Sequence, residues 1–154
     1  SETLLFLNDN NLLGELDLRK FSNLEVLDIE NNSLTNLILP NTINELVITN
    51  NKISDLPRNI NPIRIKAQQN NLSNVPESYT NLEILELSEN KITKINKYNK
   101  LRKLIVDSNP IAFIETQLSL IYLDISDTNK VNLNELVKIL NGICFPFDSS
   151  VPDK

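Results

Sequence analysis

The residues from Asp124 to Glu135 have the types and the spacing of a calcium-binding loop. Its ligand places 1, 3, 5, 7, 9 and 12 are filled by Asp124, Ser126, Thr128, Lys130, Asn132 and Glu135. The sixth place holds Asn129, where such a loop needs glycine for its sharp turn. Only two places are carboxylates, and the preceding segment has the pattern of a strand, not of a helix. We therefore expect no metal ion, and a weak calcium site stays an alternative.

Few other residues offer catalytic chemistry. The chain has no histidine, which removes the commonest general base and the commonest metal ligand. Its single cysteine, Cys144, lies among Ile143, Phe145 and Phe147, which indicates a buried and unreactive thiol. The two glycines of the chain are too few for a phosphate-binding loop. We expect neither enzymatic activity nor a cofactor.

Composition narrows the class of partner and the compartment. The 154 residues carry a net charge of −5, and 23% of them are charged, with both signs interspersed. A partner such as nucleic acid or an anionic membrane calls for a basic stripe, which this balance does not supply. One cysteine cannot form an intrachain disulfide, so a reducing compartment, the cytoplasm, is expected. No apolar run is long enough to span a bilayer.

A repeated pattern organises the chain from Glu2 to Lys130. Its form is Leu-x-x-Leu-x-Leu-x-x-Asn-x-Leu, with Ile, Val or Ala in place of Leu in some copies. The clearest copy contains Leu24, Leu27, Ile29, Asn32 and Leu34. The asparagine recurs at Asn10, Asn32, Asn51, Asn70, Asn90 and Asn109, and Thr128 takes the seventh place. Successive positions are 22, 19, 19, 20, 19 and 19 residues apart.

Each position of this repeat has a physical role. Apolar residues at the fourth and sixth positions point to the same face of a short strand. One strand cannot bury that face alone, so stacked neighbours form a parallel sheet over a shared core. The asparagine amide can both donate to and accept from the backbone where the chain turns. We therefore predict a structural ladder of these six asparagines.

The pattern resembles the leucine-rich repeat family. That resemblance implies an α/β solenoid, a right-handed superhelix with a parallel β-sheet on its concave face. Repeats of 19 to 20 residues leave only about eight for the convex side, fewer than an average helix needs. Proline steps such as Leu39-Pro40 and Leu56-Pro57 favour extended or 3₁₀ segments there. The short repeat and the Leu-Pro step are similar to the bacterial effector subclass of the family.

A helical pattern follows the last repeat. Apolar residues recur at i, i+3, i+4 and i+7, at Leu133, Leu136, Val137 and Leu140. We predict three parts: seven repeats over residues 1–130, a C-terminal capping helix over 131–147 and a polar tail over 148–154.

Strand residues between the core positions must lie on the concave face. The third-position column contains Leu4, Val26, Glu45, Arg64, Ile84, Lys103 and Tyr122, and the fifth contains Phe6, Asp28, Val47, Lys66, Glu86, Ile105 and Asp124. The candidate partner-binding residues are Val26, Asp28, Glu45, Val47, Arg64, Lys66, Ile84, Glu86, Lys103, Ile105 and Tyr122. Arg64 and Lys66 form a central basic pair that suits a carboxylate beside apolar anchors. The alternative is a well-formed sheet with solvated charges.

The sequence thus predicts a monomeric, non-enzymatic module that binds a protein or peptide on its concave face. No nucleic-acid or membrane partner is expected. Two other functions stay open. The chain could be the substrate-targeting part of a larger effector enzyme, such as a ubiquitin ligase exported to a host cell, or a structural repeat segment with a weak calcium site.

Overall fold

The computed structural model describes residues 3–128, which form eleven short β-strands. The strands are β1 (Leu4–Phe6), β2 (Leu13–Asp17), β3 (Val26–Asp28), β4 (Ser33–Ile38), β5 (Glu45–Val47), β6 (Arg64–Lys66), β7 (Ile84–Glu86), β8 (Lys94–Ile95), β9 (Lys103–Ile105), β10 (Phe113–Ile114) and β11 (Tyr122–Asp124). The predicted capping helix, the polar tail and Cys144 lie outside the described residues.

Seven of the strands build one parallel sheet in the order β1-β3-β5-β6-β7-β9-β11. Every neighbouring pair is parallel, so the chain must travel once around the molecule between one strand and the next. The result is a solenoid of about six turns. The predicted solenoid, with one sheet strand for each of the seven repeats, is confirmed.

The side of the solenoid away from this sheet is extended. Two small parallel sheets form there, β2 with β4 and β8 with β10. The expected α/β class is wrong for residues 3–128, which contain no helix. Of the extended or 3₁₀ segments that we expected on this side, the extended ones form. The physical reason is the short repeat, because the few residues left after the strand and turn only suffice for an extended return path.

The core lies between the large sheet and this return path. The central residue of each inner strand is fully buried, at Leu27, Leu46, Ile65, Leu85 and Leu104. The equivalent residues of the two outer strands, Leu5 and Leu123, are only partly buried. Each inner turn is therefore covered by a neighbour on both sides, and burial in the core falls at the first and last strand.

The asparagine ladder connects each turn of the chain to the turn before it. Asn70 shows the geometry: its side-chain oxygen accepts from the Ile53 amide at 3.0 Å, and its nitrogen donates to the Ile48 carbonyl at 2.9 Å. The same two types of bond recur at Asn32, Asn51, Asn90 and Asn109. Asn10 differs, because it is exposed and, among residues 3–128, its side chain bonds only within its own turn, to the Asn8 carbonyl at 2.8 Å.

Two buried tyrosines fasten the extended side. The Tyr79 hydroxyl donates to the Pro57 carbonyl at 2.6 Å, and the Tyr98 hydroxyl donates to the Val75 carbonyl at 3.1 Å. Burial raises the pKa of both hydroxyls above the ordinary tyrosine value. Both tyrosines therefore stay neutral donors, and each ties one turn to the preceding one.

Candidate partner-binding face

The exposed face of the seven-stranded sheet carries two aligned columns of side chains. Strand pairing places Glu45 opposite Arg64 and Val47 opposite Lys66, and the same register continues through all seven strands. The third- and fifth-position columns therefore have the composition that the repeat predicts. With strands about 4.8 Å apart, the face is roughly 29 Å long.

The predicted basic pair at the centre of this face is not a pair of free cations. Arg64 Nη1 donates to both carboxylate oxygens of Glu45, each at 3.2 Å, whereas Arg64 Nε is buried without a hydrogen-bond partner among the described residues. Glu45 and Arg64 are direct cross-strand neighbours, which explains the contact. Of the two basic residues at the centre of the face, only Lys66 makes no ion pair with any residue between 3 and 128.

A chain of polar contacts includes two further charged residues on this side of the sheet, Glu86 and Lys103. Glu86 is buried at 7% exposure and accepts from Gln68 at 2.9 Å and from Lys103 at 2.7 Å. Thr49 donates to the Gln68 side-chain oxygen at 3.0 Å. At the other end, the Lys103 ammonium lies 5.6 Å from the centre of the Tyr122 ring. The chain spans five neighbouring strands and holds these side chains in place.

Lys66 is different from the two other cations of the face. It is half-buried, and within residues 3–128 no carboxylate lies close enough to form an ion pair with it. Its carboxylate neighbours Glu45 and Glu86 already bind Arg64 and Lys103. Asp28, two strands away in the same column, also lacks an ion pair among the described residues.

The apolar candidates differ in how much surface they offer. Val26, Ile84 and Ile105 are half-buried and contribute to the face, whereas Val47 is only 8% exposed and offers little surface. Tyr122 at one end of the face is exposed by 51%, and Phe6 at the other end by 62%. The structure thus brings all eleven candidate residues onto one face, with Val47 and Glu86 as its least accessible members.

We did not predict from the sequence a further column of side chains along the sheet. The residue just before each strand, at the second repeat position, also lies along the sheet, and two of these residues are exposed isoleucines, Ile63 and Ile121. Beside the last three strands a groove of about 490 Å³ is lined by Glu83, Ile84, Arg102, Lys103, Ile121 and Tyr122. An apolar residue at a position that the core does not need was the available signal.

The proposed calcium loop is only partly described. Ser126 donates its backbone amide at 3.0 Å and its hydroxyl at 2.7 Å to Asp124 Oδ1, which lowers the pKa of this carboxyl. The Thr128 hydroxyl donates to the Ile125 carbonyl at 2.6 Å. The loop places from Asn129 onward lie outside the described residues. In the part of the chain that the structure describes, no cluster of three or more carboxylate, cysteine or histidine side chains suits a metal ion.

Comparison with known proteins gives no family for this chain. No family model matches it, and no curated protein matches it significantly. In the described residues, no helix is long and apolar enough to cross a membrane. Its function must therefore be inferred from its own side chains.

Proposed function

We propose that this chain is a non-enzymatic module of the leucine-rich repeat type that binds a protein or peptide on the exposed face of its large sheet. The observation that carries the proposal is Lys66, a half-buried cation near the centre of the face with no paired carboxylate in the described chain. The finer expectations of the sequence analysis belong to the same proposal. They are the right-handed superhelix, the concave curvature of this face, the helical cap over 131–147, the monomeric state and the cytoplasmic location.

Lys66 makes no ion pair with any residue between 3 and 128. Its ammonium is not among the buried polar atoms that lack a hydrogen bond there, so it stays accessible to a partner's carboxylate. The nearest carboxylates, Glu45 and Glu86, bind Arg64 at 3.2 Å and Lys103 at 2.7 Å and make no ion pair with Lys66. A carboxylate brought by a partner would provide the missing charge, and it would also fix the register of the partner on the face.

Apolar surface flanks Lys66 on both sides. Val26 lies two strands away towards one end of the sheet, and Ile84 and Ile105 lie one and two strands away towards the other. Apolar contacts around a desolvated charge are typical of the energetic centre of an interface. The expected partner segment therefore has an acidic residue with apolar residues on both sides.

Selection from a random peptide library displayed on phage tests this proposal. The native protein should enrich peptides that contain Asp or Glu between apolar residues, whereas Lys66→Glu should lose these peptides and favour Lys or Arg at the same place. Lys66 is the appropriate residue for a charge reversal, because Arg64→Glu would place a second carboxylate opposite Glu45. The matched control is Lys91→Glu, which makes the same charge change at an exposed residue that is not on a sheet strand.

The outcomes separate clearly. Native protein and Lys91→Glu should select the same peptides. If Lys66→Glu also selects those peptides, Lys66 does not contact the partner and the proposed centre is wrong. If the native protein enriches no peptide, the face does not act as a peptide-binding surface.

A further inference from the structure

The groove beside the last three sheet strands has the size and lining of a ligand site. Its volume of about 490 Å³ lies within the range of roughly 300–1,000 Å³ for small-molecule sites. It shares Ile84, Lys103 and Tyr122 with the sheet face but does not include Lys66. Binding of a ligand in this groove can therefore be tested separately from binding of a partner at Lys66.

The apolar part of the groove is exposed although its backbone is fixed. Ile121 is 71% exposed and Tyr122 is 51% exposed. Their amides both donate to the Arg102 carbonyl, at 2.8 Å and 3.0 Å, so the two side chains project from an ordered strand start. Exposed apolar side chains on a rigid element offer contact area to a ligand at little entropic cost.

The charges around the groove differ in availability. The Lys103 ammonium is committed to Glu86 at 2.7 Å and to the Tyr122 ring. Arg102 is exposed and makes no ion pair with any residue between 3 and 128. Glu83 also lines the groove but is half-buried. The accessible charge at this site is therefore the guanidinium of Arg102, which suits a planar carboxylate.

We propose that this groove binds the C-terminal residue of a peptide whose last side chain is large and apolar. The side chain would lie against Ile84, Ile121 and Tyr122, and the terminal carboxylate would bind Arg102. Arg102 and Ile121 are neighbours in adjacent turns, with their backbones about 4.8 Å apart, and both line the groove. One terminal residue of a peptide can therefore place its side chain against Ile121 and its carboxylate at Arg102.

The probe is N-acetyl-L-phenylalanine, compared with its uncharged amide and with N-acetyl-L-alanine, in a titration followed by amide NMR shifts of the ¹⁵N-labelled full chain. The shifts should saturate at Ile84, Lys103, Ile121 and Tyr122. The acid should bind about 1.4- to fivefold more tightly than the amide, the range expected for one exposed ion pair. N-acetyl-L-alanine should bind much more weakly, because it lacks the large side chain.

Two groove variants and a control test whether Arg102 and Glu83 cause the difference in affinity between acid and amide. Arg102→Gln should abolish the advantage of the acid, and Glu83→Gln should increase it, because a repelling carboxylate is removed. Lys91→Gln, away from the groove, should behave as the native chain. The proposal is overturned if acid and amide bind equally, if Arg102→Gln keeps the difference, or if no saturable shifts occur around the groove. Ile121→Ser changes an exposed side chain of the groove, and it should weaken the binding of both the acid and the amide.

Discussion

Replacing Asn70 with alanine measures the energetic role of the asparagine ladder. The side chain is 8% exposed and joins two turns of the solenoid. Its oxygen accepts from the amide of Ile53 at 3.0 Å, and its nitrogen donates to the carbonyls of Ile48 at 2.9 Å and Gln68 at 3.1 Å. Alanine removes all of these bonds without changing the apolar core residues.

The expected loss follows from which backbone groups stay bonded. The Ile48 carbonyl keeps the Asn51 side chain at 3.2 Å, and the Gln68 carbonyl keeps the Asn50 amide at 2.9 Å. The Ile53 amide loses its acceptor, and Ile53 is fully buried. An orphaned buried donor costs about 1–3 kcal/mol, and the other lost bonds add about 1 kcal/mol. We expect Asn70→Ala to lower the free energy of unfolding by about 2–4 kcal/mol.

Asn10→Ala is the matched control, because it makes the same change at the same repeat position. Asn10 is exposed, and its side chain makes one hydrogen bond, to the Asn8 carbonyl at 2.8 Å. Its loss should cost less than about 1 kcal/mol. Urea unfolding followed by far-ultraviolet circular dichroism compares the two variants. Losses equal within about 0.5 kcal/mol would refute the explanation of the ladder, since position in the stack would then not matter.

Three further predictions concern the turns and the charges. Glu89 has a left-handed backbone, φ 56°, so Glu89→Asn should raise the free energy of unfolding by about 0.5–1 kcal/mol in urea unfolding. Lys103→Ala leaves the buried Glu86 without its cation and should destabilise the fold by about 1.5–3 kcal/mol in the same assay. The Arg19 side chain, which donates to Asp17, lowers the pKa of Asp17 to about 2. This carboxylate therefore contributes stability above its unfolded pKa, near 4, that is lost as the pH falls towards 2. Arg19→Gln should raise the Asp17 pKa, as measured by NMR titration.

The sequence predicts the large sheet well because the core residues of its strands recur at a regular spacing. Leu27, Leu46 and Ile65 recur at one spacing, and strand pairing requires that equal positions of successive turns stand side by side. Core, sheet face and ladder follow from this single constraint. The missing helix in residues 3–128 was implied by the same spacing, which conflicts with the α/β class taken from the resemblance.

Contacts between columns were harder to predict. The ion pair between Glu45 and Arg64 could be found by comparing direct neighbours across strands. The ion pair between Glu86 and Lys103 is diagonal, because Glu86 stands opposite Ile105, so register alone does not predict it. The left-handed backbone of some turn residues also could not be predicted from residue type. Gln69 and Glu89 take left-handed backbones that Asn or Gly usually adopt, because the repeat geometry imposes the turn on whatever residue stands there.

The central claim is that a partner binds the exposed sheet face around Lys66. The most direct measurement is a methyl NMR titration of the isoleucine- and valine-labelled chain with a peptide selected by the native protein. The account predicts saturable shifts at the methyl groups of Val26, Ile84 and Ile105, and unchanged signals from Val75 in the return path on the other side. Shifts concentrated at Val75, with the face methyl groups unchanged, would contradict it.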